Sequence, residues 1–125
     1  MRLQGAARTY LAEILIAAGD YAAAEREATA AIDTLTVAPS LQVAALGVSS
    51  RARLGRGDAE GALRVAGVAH EALERLGEIE EGESMVRLAF AEALEQSGLR
   101  EDARRTLAVA HKRLLARAHR IDEPA

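Results

Sequence analysis

Cysteine is absent from the chain, and so is tryptophan. No disulfide can brace the fold and no thiolate can serve as a nucleophile. A zinc site would have to be built from histidine and carboxylates alone. Proline occurs twice, phenylalanine once and tyrosine twice. So few aromatics, with no long run of Val, Ile or Thr, argue against a β-sandwich, whose strands favour β-branched and aromatic side chains. Lysine is as scarce, with Lys112 the single one. The arginine bias reads as a bias of coding before any phosphate-binding role. A formal net charge of −3 and a pI near 5.6 give no electrostatic case for nucleic acid. No apolar run approaches the roughly 20 residues that span a bilayer. The start leads into an amphipathic helix carrying Arg8 and Glu13, not a secretory segment. The expected location is cytoplasmic, with no membrane partner.

What is present is alanine and a repeat. Half of the 125 residues are apolar, and alanine supplies much of that share. The length bounds the chain to one domain. Gly19-Asp20-Tyr21-Ala22-Ala23-Ala24 returns as Gly57-Asp58-Ala59-Glu60-Gly61-Ala62 and as Gly98-Leu99-Arg100-Glu101-Asp102-Ala103. The common element is Gly-x-x-x-x-Ala. Glycine ends one helix in a left-handed conformation, and alanine lies in the next where two helices pack closely. Gly57 follows Gly19 by 38 residues and Gly98 follows Gly57 by 41. Self-similarity at about forty residues marks a helical repeat array.

The periodicity predicts six helices. The first runs from about Gln4 to Ala18 and should bury Leu3, Ala7, Tyr10, Leu11, Ile14 and Ala18. Asp20 caps the second, which carries Tyr21, Ala24, Ala28, Ala31, Ile32 and Leu35 inward and stops near Val37, before Pro39. Ser40 is the expected N-cap of the third, with Leu41, Ala45, Val48 and Ala52 inward. Asp58 caps the fourth, whose stripe is Ala62, Ala66, Ala69, Leu73 and Leu76. Gly61 and Gly67 lie inside it, each costing about 1 kcal/mol relative to alanine. They imply a softer helix or a close neighbour. Glu78, Glu80, Glu81 and Glu83 crowd the start of the fifth as a solvated acidic turn, with Val86, Ala89, Phe90, Ala93 and Leu94 inward. The sixth buries Leu99, Ala103, Leu107, Ala110, Leu114, Ala118 and Ile121 and ends before Pro124. The hairpins fall near 3–38, 40–77 and 79–121.

This pattern resembles the tetratricopeptide repeat, with small residues in the middle of its first helix, a Gly-Asp-Tyr turn and small residues along its second. In the first repeat these are Ala12, Gly19-Asp20-Tyr21, Ala24, Ala28 and Ala31. In the third they are Ala91, Gly98, Ala103, Leu107 and Ala110. The second matches at Ala62, Ala66 and Ala69, with Ser50 in the first-helix position. The periods exceed the family's usual length of about 34. Residues 86–121 also resemble the C-terminal repeat region of large bacterial signalling ATPases and kinase–ATPase fusions, which makes the chain an expected fragment of a longer protein. The resemblance implies an all-α, right-handed superhelix with its concave face lined by the first helix of each hairpin. That face would present Thr9, Glu13 and Ile16, then Arg51 or Arg53, then Leu88, Glu92 and Glu95. Family members that clamp a peptide's terminal carboxylate use Lys and Asn on this surface. Glu13 and Glu92 stand there instead, which argues against such a clamp.

Other motifs have plainer readings. Arg56-Gly57-Asp58 spells a cell-attachment tripeptide, but it sits at a helix turn where Asp caps. Gly55, Gly57 and Gly61 space like a phosphate loop, yet no strand precedes them and no Lys-Ser/Thr follows. His70 and His111 hold equivalent places on different helices, and His119 lies two turns beyond His111, so no metal pair is expected. The arginines of the sixth helix read as a solvated outer face. Ser40, Ser49, Ser50, Ser84 and Ser97 have no base nearby in sequence, so no catalytic residue and no cofactor are expected. The expected role is a scaffold for a protein or peptide partner, with a small-molecule or peptide sensor as the alternative. Exposed apolar residues such as Leu3, Leu115 and Ile121 predict self-association through an array end.

Overall fold

The computed structural model describes residues 2–77, 79 and 82–122. Among these, six α-helices and no strand are found: α1 (Arg2–Ala17), α2 (Tyr21–Thr34), α3 (Pro39–Gly55), α4 (Ala59–Leu76), α5 (Glu83–Gln96) and α6 (Arg100–Asp122). Glu78, Glu80, Glu81, Pro124 and the side chain of Ile121 lie outside the described residues.

The helices pair because three turns repeat one geometry. Gly19, Gly57 and Gly98 take φ of 83°, 88° and 80°. At each turn the N–H after the glycine reaches back to the last helical turn: Asp20 to the Leu15 carbonyl at 2.8 Å, Asp58 to Arg53 at 2.9 Å, Leu99 to Leu94 at 2.9 Å. The glycine N–H itself bonds to Ile16, Leu54 and Glu95 in turn. These bonds satisfy carbonyls that a helix end leaves open, and only glycine takes the left-handed conformation without steric cost. The Asp20 carboxylate then accepts from Ala23 N–H at 3.3 Å and that of Asp58 from Gly61 N–H at 2.9 Å, starting the next helix. At the third turn Leu99 occupies the capping place.

Ala24, Ala62 and Ala103, the alanines of the repeated motif, are all buried. Gly5 near the start of α1 abuts Leu35 just past α2, so the two helices run antiparallel. Across the array, α1 contacts α3 and α3 contacts α5, while α2 packs on α3 and α4 on α5. Among the described residues α2, α4 and α6 do not touch one another. The first helices of the hairpins thus form a continuous layer, with the second helices outside it. Alanine makes this layer possible, because Ala12, Ala24, Ala28 and Ala52 let the helices approach around a single Val48. Ser50 takes the place held by Ala12 and Ala91. It is equally buried, and its hydroxyl donates to the Ala62 carbonyl at 2.8 Å.

Several expectations are corrected. Pro39 begins α3 instead of merely stopping α2, and its N-cap is Ala38, not Ser40. Proline suits the first helical turn, where its missing N–H has no intrahelical partner. Leu76, expected inward on α4, is exposed. Gly61 is needed because a Cβ there would meet the Asp58 carboxylate, whereas a Cβ at Gly67 would meet nothing.

The largest corrections concern the outer helices. The stripe Leu3, Ala7, Tyr10, Leu11, Ile14 and Ala18 of α1 faces outward, while Gly5 and Ala12 are buried. The helix is rolled by what it must reach: Arg8 pairs with Glu27 of α2 at 2.9 Å, and Gly5 admits Leu35. On α6 the packed positions are Ala103, Thr106, Ala110, Arg113 and Arg117, and Leu107 and Leu114 stand exposed. Arg113 and Arg117 therefore do not form a solvated face. They turn inward to a buried carboxylate, described next.

Candidate functional site

Aligned on the three turn glycines, α1, α3 and α5 place equivalent residues on one face. Glu13, Arg51 and Glu92 share one position; Thr9, Gly47 and Leu88 a second; Ile16, Leu54 and Glu95 a third. Arg51 and Glu92 meet at 3.7 Å with both side chains half-exposed. Arg53, the alternative in the second repeat, leaves this face. It bonds with Glu25 of α2 at 3.4 Å and lies 3.8 Å from Asp58. The Thr9 hydroxyl is used locally, donating to the Gly5 carbonyl at 3.0 Å. Glu95 lies 3.8 Å from Arg100, at the edge of the face. Leu88 is exposed.

Three shallow hollows follow this face. The first, about 120 Å³, lies between α1, α3 and the start of α5, and includes Thr9, Tyr10, Glu13, Leu41 and Met85. The second, about 180 Å³, lies under Arg51 and Glu92 with Ile16, Tyr21 and Leu54. The third, about 280 Å³, runs between α5 and α6 along Leu88, Ala91, Glu95, Ala103 and Leu107. The structure thus divides the six expected groove residues among neighbouring hollows and joins Arg51 and Glu92 across two helices by an ion pair. Each hollow is smaller than the roughly 300–1,000 Å³ of a small-molecule pocket. Each is a fit for one or two side chains of a longer ligand. Tyr10 and Met85 were missed as lining residues, because the sequence stripe assigns Tyr10 to the core and Met85 has no repeat partner of its kind.

The most strongly charged cluster is internal. Glu83, expected as part of a solvated acidic turn, is buried, with a side chain 2% exposed. Arg87, one turn along α5, is 3% exposed and donates to it at 3.2 Å. Arg113 of α6 donates to both carboxylate oxygens, and Arg117 approaches to 3.9 Å. Burial alone would raise the Glu83 pKa, but the hydrogen bonds from Arg113 and Arg87 outweigh it and hold it below the ordinary value. Arg87 also bonds to Glu74 at 3.1 Å and approaches His70 Nε2 to 3.4 Å. The His70 ring lies 4.5 Å from that of Phe90. Its pKa is lowered by burial, raised in part by Glu74, and lowered again by Arg87. Arg113 and Arg117 further donate to the Gly77 and Ile79 carbonyls, at 3.1 and 2.8 Å. The cluster therefore fastens α6 to α5 and to the connection before it. Every charge in it faces another, as a structural staple requires, with Glu83 and Arg87 buried and Glu74 at its open edge.

Comparison with family models, curated proteins and solved structures gives no match.

The remaining motifs resolve locally. In Arg56-Gly57-Asp58 the aspartate caps α4 and Arg56 pairs with Glu25 of α2. Gly55 adjoins the Tyr21 ring and forms no loop. Among the described residues no group of three His, Asp or Glu side chains is placed to hold a metal ion, and no helix is long and apolar enough to cross a membrane.

Proposed function

We propose that the chain is a tetratricopeptide-like docking module, three hairpins wound into a right-handed superhelix whose α1–α3–α5 face holds a segment of a partner protein. The observation that carries this reading is the alignment of Glu13, Arg51 and Glu92 at one position of three consecutive first helices. A face with a repeated position reads a ligand that also repeats, namely a polypeptide. The continuous α1–α3–α5 contact with α2, α4 and α6 outside it supports the two-layered arrangement that the resemblance implies.

The face sets the partner's chemistry. Glu13, Glu92 and Glu95 oppose one guanidinium, that of Arg51, and Leu54, Leu88, Tyr10 and Met85 supply apolar contact between them. The complement is an amphipathic segment with Lys or Arg beside apolar anchors. The shallow hollows disfavour the small-molecule sensor. We place the module in the regulatory part of a bacterial signalling protein, on the resemblance of residues 86–121 alone.

The test is selection from a random peptide display library on the immobilised chain. Selected peptides should carry Lys or Arg with apolar residues three or four apart. They should lose at least tenfold in affinity, or about 1.4 kcal/mol, against a Glu13→Lys, Glu92→Lys double variant. Peptides that bind both proteins equally would sink the reading.

A further inference from the structure

One kind of joint links the hairpins, and it is used twice. In the first, Ala45 of α3 clusters with Ala31 and Leu35, while Val48 and Ala52 cluster with Ala24 and Ala28 of α2. In the second, Val86 of α5 clusters with Ala69 and Leu73, while Ala93 clusters with Ala62 and Ala66 of α4. Aligned on the turn glycines, these are the same register positions in both joints. One hairpin earlier, the positions of Ala45, Val48 and Ala52 belong to Ala7, Tyr10 and Ile14 of α1. One hairpin later, those of Ala66, Ala69 and Leu73 belong to Leu107, Ala110 and Leu114 of α6.

Inside the array the receiving side chains, among them Leu35 and Leu73, are fully buried. At the ends, Tyr10 is 58% exposed, Ile14 64%, Leu107 46% and Leu114 48%. The ends of a repeat array that meet only water are expected to be polar at these positions. Here both stay apolar, in the register of the internal joint. α1 carries the inserting half, and α5–α6 the receiving half. The hollow along Leu88, Ala91, Ala103 and Leu107 is where the insert would sit.

We propose that a second copy of this chain fills that place: α1 of one copy seats on α5–α6 of the next, as α3 seats on α1–α2. The surface that carries the matching insert pattern is the chain's own first helix, and this is the argument for a second copy as the occupant. The contact is heterologous, head to tail, and so extends to further copies unless it curves into a ring. Tyr10 and Leu107 are bulkier than the internal residues they replace, so the junction is wider than a joint within the chain. The pairing shares Tyr10 and the hollow along Leu88 and Leu107 with the α1–α3–α5 face, so a peptide there would compete with it, and its test is made on the chain without peptide.

The absence of cysteine makes the register directly testable. Leu35 clusters with Ala45 and Leu73 with Val86, so Leu114 of one copy should meet Ala7 of the other. Mixed Ala7→Cys and Leu114→Cys proteins should oxidise mainly to the mixed dimer, several-fold over either same-variant dimer. By sedimentation velocity the native chain should associate as its concentration rises. Ile14→Glu and Leu114→Glu should each be monomeric, with native helix content by circular dichroism. Their mixture should form one discrete dimer, because each variant keeps one sound end. A native chain that stays monomeric at the highest concentration overturns the proposal. So does dimerisation of Leu114→Glu alone, which would mean symmetric α1 pairing, or a mixture that stays monomeric.

Discussion

Arg113 of α6 donates to both oxygens of the Glu83 carboxylate on α5, across 30 residues of chain. The third hairpin thus adds a buried charge cluster to the alanine contact, at Ala91 and Ala103, that it shares with the first two. At its start α6 also lacks the aspartate cap that α2 and α4 have. A bidentate arginine pair, strengthened by burial, supplies the missing constraint.

Glu83→Gln should therefore be costly although the substitution conserves shape. It leaves Arg87, 3% exposed, with Glu74 as its remaining carboxylate partner. Breaking a buried pair by removing one partner costs about 3–5 kcal/mol. Urea denaturation measures this. A loss below about 0.5 kcal/mol, the range of surface substitutions, would mean that the carboxylate is solvated.

Acid should destabilise the fold in two stages. The folded pKa of His70 lies below its ordinary 6.5, so its contribution is complete above that value and is lost as the pH falls from 6.5 through the folded one. Glu83 is likewise below its ordinary 4.5, and its contribution is lost as the pH falls from 4.5 through its own folded value. His70→Phe should flatten the upper stage of a stability–pH curve and leave the lower one. An unchanged upper stage would remove His70 as its source.

Two glycine substitutions should move stability in opposite directions. A Cβ on Gly67 meets no atom within 4 Å, so Gly67→Ala should gain about 0.5–1 kcal/mol from helix propensity. A Cβ on Gly5 falls 2.5 Å from Leu35 Cγ, and overpacking of this kind costs about 1–3 kcal/mol. Thermal melts of the two variants on either side of the native value would bear this out. Equal shifts would not.

The caps offer a further pair. Asp58→Ala removes the acceptor for Gly61 N–H and should cost about 1 kcal/mol. Leu99→Asp installs the same cap at the equivalent turn of α6 and should stabilise by several tenths of a kcal/mol, since the leucine is only half-buried. Denaturant midpoints report both. A loss in the second would show that the Leu99 side chain matters more to its turn than a cap would.

Much of the fold was legible because glycine and alanine constrain the backbone directly. Gly19, Gly57 and Gly98 located the turns, and Ala24, Ala62 and Ala103 the buried side of each second helix. Six helices in the right order followed. The rotation of α1 and α6 was not legible, because an apolar stripe says that a face avoids water without saying what covers it. Leu11 and Ile14 read as core and stand outside it. Glu83 was hidden for the opposite reason: among three neighbouring glutamates its charge suggested solvent, and its partners Arg113 and Arg117 are brought near only by the fold. On the candidate face, Arg51 could be separated from Arg53 only once Arg53 was seen beside Glu25.

The alanines around Val48 have a mechanical consequence. Alanine has no side-chain torsion beyond its methyl, so Ala12, Ala24, Ala28 and Ala52 have no alternative rotamers to adopt, and ordering them loses backbone freedom alone. A joint made this way has one manner of closing. Its buried alanines absorb less of a push by repacking than a leucine core would, so more of a force on one helix passes to its neighbour as displacement of the whole rod. Strain applied at α1 would pass through this alanine contact and be taken up where longer side chains border it, at Leu15, Ile16 and Met85, and at Leu35 in the neighbouring cluster.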